Sequence, residues 1–483
     1  MRTKLPLVAL LILTFAIRML HLLNPGHYFL IGTDSFYFHK LAASSSIPFF
    51  GSGLAYPLRW LTNINGNLDA MSALLPPLLS VITALLIYCI VADIYGRRVA
   101  LFSVLCYAVV QPVFYFGLAG NIDRDILSIL LVTGGILLIR RFGTIRATIP
   151  CAILLAILWS WIGAAVLLLI VIAISVIVYI QVHRDKVRLL WQSGPLVVLG
   201  LLGVGLYHRT IYNHLMVVVH NRDIAELQML NSIDILGYLF IGLPLVAGIY
   251  IMFNAARDRG YRAADLMLVT WIAACLGMGL IAARLAIFMG PAVCIIAGIG
   301  LARLAAIPQR KPRAVMMILV AVSMLMSVSL AWSLPRNAVM SRDWHDALTY
   351  IEAHTAPEDH VLSWWDYGFW IEDVGGCQSL ANNKGGKLCG ESVDRRIAMT
   401  YCADSDIGAL QSATGWCNDE FPYLNPKYII FSTREDEFWS TITKQVGYDN
   451  PNCLYRQVFR SDYYSDILPI VYSNGTVRVL ELT

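Results

Sequence analysis

Apolar runs long enough to cross a bilayer recur along the first two thirds of the chain. They fall near residues 5–23, 72–94, 99–119, 126–140, 148–163, 164–182, 189–207, 235–254, 264–283, 285–306 and 314–333. A helix needs about 20 apolar residues to span roughly 30 Å of hydrocarbon, so the pattern predicts about eleven transmembrane helices. With 58% of 483 residues hydrophobic and 14% charged, a soluble globular class is excluded. The first run begins within a few residues of Met1 and lacks a small-residue cleavage site, so it is expected to be a retained helix.

The charges between the runs orient them. Arg2 and Lys4, Arg97 and Arg98, Arg140, Arg141 and Arg146, Arg184, Lys186 and Arg188, Arg257, Arg259 and Arg262, and Arg310, Lys311 and Arg313 occupy alternate loops. Basic residues collect on the cytoplasmic side. The N-terminus is therefore expected inside and residues 334–483 outside the cell or inner membrane. Residues 1–333 hold 24 Lys and Arg against 11 Asp and Glu, and residues 334–483 hold 12 against 21. A basic membrane part thus precedes an acidic soluble part, and no nucleic-acid partner is needed to explain the basic half.

Residues 334–483 read as a mixed α/β domain of ordinary size. Helical spacing runs from Asp343 to His354. Strands are expected at His360–Trp365, Lys427–Ser432, Leu454–Val458 and Leu468–Leu482, the last broken by an Asn474-Gly475 hairpin turn. Cys89, Cys106, Cys151, Cys275 and Cys294 lie in the spans as small apolar packers. Cys377, Cys389, Cys402, Cys417 and Cys453 lie outside, an odd number that leaves connectivity open.

Two groups of residues carry chemistry. Trp364-Trp365-Asp366-Tyr367-Gly368 combines two indole N–H donors with a carboxylate acceptor, a set that can grip a hydroxyl; a Trp pair alone reads more readily as core packing. The expected topology places Asp34 in the first outer loop, Asp123 and Asp125 in a short second outer loop at a helix start, and Glu226 in the long outer loop 208–234. Carboxylates from separate loops suit Mg²⁺ or Mn²⁺, which prefer oxygen ligands, although outer acids also cap helices. Arg284 lies near the outer end of its span. It either snorkels to the interface or faces an anionic headgroup or diphosphate.

On these residues the chain resembles the catalytic subunit family of oligosaccharyltransferases, whose Trp-Trp-Asp-Tyr-Gly signature stands unsubstituted at 364–368. Asp34 matches the family's first-loop acid, and Asp123 and Asp125 its DxD-type motif. Asp223 to Glu226 match its long-loop motif with Asp in place of a hydroxyl residue, and Arg284 matches its late-span arginine. Trp439, Ile442 and Val446 fit the spacing of its short apolar helix motif, with Trp replacing Met; such spacing is also that of an ordinary core helix.

The resemblance implies a GT-C type membrane domain at 1–333 followed by an extracytoplasmic α/β domain at 334–483. It implies inverting transfer of a glycan from a polyprenyl (di)phosphate carrier to the asparagine amide of Asn-x-Ser/Thr in proteins, by a single-subunit enzyme in the bilayer. Mn²⁺ or Mg²⁺ on Asp34, Asp123, Asp125 and Glu226 would stabilise the departing diphosphate, with Arg284 on the donor side. Asp34 and Glu226 would also accept from the acceptor amide. Trp364, Trp365, Asp366 and Ile442 would bind the acceptor.

The chain departs from the family in having two fewer apparent spans than the usual thirteen. No Lys or Arg occurs from 227 to 256, so a plain Asn-x-Ser/Thr acceptor is expected to suffice. Asn474-Gly475-Thr476 is itself such a sequence, for which the hairpin is the expected role. The alternatives are another lipid-linked sugar transferase of GT-C type, acting on serine or a lipid, and a transporter or sensor with an outer domain. A transporter places ionisable groups near the midplane, and the cytoplasmic loops are too short for a sensor's output domain.

Overall fold

The computed structural model describes residues 4–23, 27–47, 54–137, 242–259, 287–333, 339–381, 391–414, 426–447, 449–460 and 463–482, with isolated positions between 265 and 276. Two compact units emerge: residues 1–23 with 46–337, and residues 24–45 with 338–483. The first outer loop, assigned from the sequence to the membrane domain, groups with the C-terminal unit.

The first unit is helical, with helices at Lys4–Met19, Leu68–Tyr95, Arg97–Val109, Gln111–Phe116, 124–137, Gly242–Arg259, Gly290–Leu304 and Arg310–Ser333. Among the described residues, Leu68–Tyr95 and Ile287–Leu304 are each long and apolar enough to cross a membrane. Leu68–Tyr95 starts where Asn67 accepts from the Ala70 N–H at 2.9 Å, an N-cap. The expected spans at 148–163, 164–182 and 189–207 lie outside the described residues.

The run 99–119 is not one helix. Arg97–Val109 stops, Val110 is extended, and a second helix begins at Gln111 with Pro112 in its first turn. Proline is tolerated there because those N–H groups have no partner in the helix anyway. The carbonyls left at the break find Arg18: its guanidinium donates to Tyr107 O at 3.3 Å and Ala108 O at 3.2 Å, and is fully buried. Sequence reading passed over Arg18, although an arginine inside an apolar run is a signal that could have found it, and its role is to close a helix end.

Gly242–Arg259 packs on Gly290–Leu304, which packs in turn on Arg97–Val109. The first contact depends on absent side chains. A Cβ on Gly300 would collide with the Pro244 carbonyl, and one on Gly248 with the Ile296 carbonyl. Small residues let membrane helices approach backbone to backbone.

The second unit is built on a five-stranded sheet. Its strands are β3 (His360–Leu362), β4 (Gln378–Ser379), β5 (Pro426–Ser432), β6 (Ile470–Ser473) and β7 (Val477–Glu481). Their order is β4-β3-β5-β7-β6. The pairs β3/β4 and β3/β5 are parallel, whereas β5/β7 and β6/β7 are antiparallel. A separate antiparallel pair joins β1 (His27–Ile31) to β2 (Val339–Ser341). Helix Arg342–His354 starts at the Ser341 N-cap and buries Trp344, Ala347, Leu348 and Ile351, one face at helical spacing.

The hairpin at Asn474-Gly475 forms as expected, with the Asn474 N–H donating to Val477 O at 3.1 Å. Leu454–Val458 is a helix, not the expected strand, with Leu454, Tyr455 and Val458 buried. Five residues with apolar positions one and four apart fit a helix face better than alternation, but a run that short leaves the period ambiguous. The expected strand His360–Trp365 ends at Leu362 because the chain turns at Trp365.

Candidate acceptor and carboxylate sites

Trp364 to Gly368 occupy the turn that leaves β3. A single turn of 3-10 helix covers Trp365–Tyr367, and helix Gly368–Asp373 follows directly. The parallel neighbour β5 ends at Ser432, and a short turn leads from it to Glu435, the first residue of helix Glu435–Val446. In open α/β sheets ligand sites gather at the carboxyl ends of parallel strands, and both loops lie there.

Tyr401, fully buried on helix Glu391–Cys402, ties the two loops together. Its hydroxyl accepts from the Trp364 backbone N–H at 3.0 Å, donates to Ile430 O at 2.8 Å, and lies 3.5 Å from Glu435 Oε1. Glu435 is also fully buried and accepts from the Ser432 N–H at 2.7 Å. Burial pushes its carboxyl well above the usual range, against the pull of that N–H and of Arg434. A phenol has one proton, which serves the short contact to Ile430 O and reaches Glu435 Oε1 only at the longer distance.

Within the motif the residues divide. Trp364 is 1% exposed, whereas Trp365 and Asp366 are half-buried. Tyr367 packs against Trp344 at 4.3 Å between centroids and against Trp370 at 5.4 Å. The buried Trp364 Nε1, Tyr367 Oη and Trp370 Nε1 have no hydrogen-bond partner among the described residues. Tyr367 and its neighbours form an aromatic support, and Trp365 and Asp366 are the part of the motif nearest to solvent.

Asp34 lies in the first turn of helix Thr33–Ala43, which belongs to this same unit. Asp123 and Asp125 belong to the helical unit. Asp123 Oδ1 accepts from the Asp125 N–H at 3.0 Å, capping the helix at 124–137, and Asp125 is 6% exposed. The cap that the sequence offered as the plain reading of this pair is thus formed. Glu226 and Arg284 lie outside the described residues. Among the described residues no group of three or more His, Cys, Asp or Glu could hold a metal ion. The donors that are described supply only carboxylate oxygens, a set suited to a hard divalent cation.

Ile442 is fully buried, and Trp439 is engaged by Tyr455, which stacks on it at 4.8 Å, and by Asp449, which accepts its indole N–H at 2.9 Å. Both support the core reading of their spacing. Cys377, Cys402 and Cys453 are free thiols, and burial pushes Cys402 up to about 12 and Cys377 to about 11. Sequence reasoning missed Tyr401 and Glu435, which no local pattern marks. They are found through the contacts that helix Glu391–Cys402 and the β5 loop make across the sheet.

A family model for dolichyl-phosphate-mannose-protein mannosyltransferases matches residues 52–208. Dolichyl-phosphooligosaccharide-protein glycotransferase 1 of Pyrococcus furiosus is 30% identical over 95 residues, 20% of this chain and 10% of that protein. Glycotransferase 2 of the same organism is 24% identical over 234 residues, 48% of this chain and 28% of that protein. The chain thus spans well under a third of the length of either curated relative. Among solved structures, the oligosaccharyltransferase AglB from Archaeoglobus fulgidus, in complex with an inhibitory peptide and a dolichol-phosphate, superposes with a TM-score of 0.68. The identity is 15%, over 92% of this chain and 71% of that one. The same enzyme in complex with Zn and sulfate gives 0.61 at 16% identity, over 94% and 70%. ArnT from Cupriavidus metallidurans bound to undecaprenyl phosphate gives 0.56 at 13%, over 98% and 97%. The chain shares the fold of these structures.

Proposed function

We propose that the chain is a multi-pass oligosaccharyltransferase. It moves a glycan from a polyprenyl (di)phosphate carrier to the amide nitrogen of asparagine in Asn-x-Ser/Thr, with inversion at the anomeric carbon. The observation that carries this reading is the intact Trp364 to Gly368 turn at the carboxyl end of β3, in a chain that shares its fold with AglB. About eleven spans, a cytoplasmic N-terminus, an extracytoplasmic C-terminal unit and action as a single subunit complete the proposal.

Trp365 and Asp366 grip the Ser or Thr hydroxyl, and the buried Trp364 supports them from beneath. A site built to hydrogen-bond a hydroxyl rejects its absence because its own polar groups are left unpaired. Asp34 and Glu226 accept from the asparagine amide and weaken its conjugation, making the nitrogen a better nucleophile. Attack at the anomeric carbon forms the C–N bond as the bond to the diphosphate oxygen breaks, and the proton that the amide nitrogen loses passes to the carboxylate that accepts its N–H. Asp34, Asp123, Asp125 and Glu226 would hold a divalent cation, Mn²⁺ or Mg²⁺, which would supply charge stabilisation for the leaving diphosphate. Arg284 binds the same anion.

The family match at 52–208 favours a second reading, transfer from a lipid-linked sugar to a serine or threonine hydroxyl. One assay separates the two. Purified protein is given lipid-linked oligosaccharide, Mn²⁺ and either an Asn-x-Thr peptide or the matching Gln-x-Thr peptide. Asparagine transfer requires product from the first alone, lost in Asp34→Ala and Glu226→Ala; product from both peptides means hydroxyl transfer.

A further inference from the structure

The segment that carries Asp34 is fastened to the helix that follows the hydroxyl grip. Helix Thr33–Ala43 packs on Gly368–Asp373. Phe36, fully buried, meets Trp370 at 5.8 Å between centroids, and Tyr37 meets Phe369 at 5.2 Å. Beside this apolar layer stand two polar pairs. His39 Nδ1 lies 3.1 Å from Asp373 Oδ1 and 3.0 Å from Oδ2, with the side chains only 14% and 7% exposed. Lys40 Nζ donates to Glu372 Oε2 at 3.3 Å. The strand pair β1/β2 anchors the entry to the same segment.

We propose that His39 and Asp373, supported by Lys40 and Glu372, are positioning residues that fix the Asp34 carboxylate relative to the Trp364 to Gly368 grip. This rests on the transferase reading above. Apolar contact holds two helices together but is non-directional, so Phe36 and Trp370 leave the rotation of helix Thr33–Ala43 about its axis weakly determined. Hydrogen bonds are directional, and the His39–Asp373 pair supplies that constraint. Phe36, His39 and Lys40 share one face, and Asp34, two residues before Phe36, is turned about 200° from it. The polar clamp therefore grips the face of Phe36, His39 and Lys40, while Tyr37, about 60° from Asp34 around the helix, meets Phe369 on the side that carries the carboxylate. The carboxylate that works on the acceptor amide and the turn that grips the acceptor hydroxyl move as one body, although some 330 residues of sequence separate them.

The test uses the full chain in detergent with His39→Leu, His39→Gln, Asp373→Asn, the double variant His39→Leu/Asp373→Asn and Asp34→Ala. It measures the free-Mn²⁺ EPR signal, kcat, peptide KM and Tm. Outer partners of a metal site typically alter affinity by about tenfold or more. His39→Leu and Asp373→Asn should each weaken Mn²⁺ binding and lower kcat by about that factor, with peptide KM little changed. The double variant should be no worse than either single one, and His39→Gln, which keeps an N–H donor, should recover part of both losses. Wild-type Mn²⁺ affinity and kcat in both single variants overturn the proposal. So does a loss of activity that only follows a lowered Tm, and Lys40→Met replaces any variant that does not fold. If Asp34→Ala still transfers glycan, the transferase reading fails and the positioning role with it.

Discussion

Asp366 and Glu435 are both carboxylates near the Trp364 turn, and their surroundings give them different work. Asp366 is half-buried at the surface of the turn, where an ionised carboxylate can accept from an incoming hydroxyl. Removing one hydrogen bond to a charged group costs about 2 kcal/mol, roughly thirtyfold in kcat/KM. Asp366→Ala should show that loss with an Asn-x-Thr peptide in steady-state kinetics while the Mn²⁺ requirement stays put. Glu435 is sealed beneath the turn, with its carboxyl held above the usual range by burial. Its folded pKa exceeds its unfolded one, so the stability it adds is complete below the unfolded value and is lost as pH rises through the folded value. Tm should therefore fall with rising pH in the wild type, and Glu435→Gln should flatten that slope. The Trp364 motif was legible because five consecutive residue types define it. The Tyr401 and Glu435 support was not, because 34 positions separate two residues with no shared local pattern.

At the scale of elements, period decided what could be read. Arg342–His354 buries one face over three turns and the Asn474-Gly475 turn has specific chemistry, so both were expected and both formed. Leu454–Val458 is too short for its period to show. The break at Val110 was hidden because an apolar run looks continuous whether or not its backbone is. Two consequences can be measured. The Asn474 amide donates to Asp343 O at 2.8 Å, its Oδ1 accepts from the Val477 N–H at 2.8 Å, and Thr476 Oγ1 donates to Asp343. This acceptor sequence is locked into its hairpin, and intact-mass analysis after incubation with donor should find it unmodified. Gly300→Leu would drive a side chain into the Pro244 carbonyl. Overpacking of that kind costs about 1–3 kcal/mol or more, so it should lower Tm in detergent clearly, whereas Gly242→Ala, which meets open space, should cost much less.

For the whole molecule, charge and hydropathy divide the sequence near residue 334 into a basic apolar part and an acidic one, and the chain folds as two compact units. The sequence did not show that residues 24–45 leave the first unit to join the second. Strand pairing between β1 and β2 and the side-chain contacts of helix Thr33–Ala43 bring them there, and long-range pairing of this kind leaves no periodic trace. One globular unit thus holds both the proposed hydroxyl grip and one of the acids proposed for the chemistry, and the central claim is that these two tasks belong to different residues. The most direct test is the affinity of a labelled Asn-x-Thr peptide against its Asn-x-Ala counterpart, by fluorescence anisotropy in wild type, Asp366→Ala and Asp34→Ala. The account predicts that the preference for threonine disappears in Asp366→Ala and survives in Asp34→Ala. A preference retained in Asp366→Ala, or lost in Asp34→Ala alone, would contradict it.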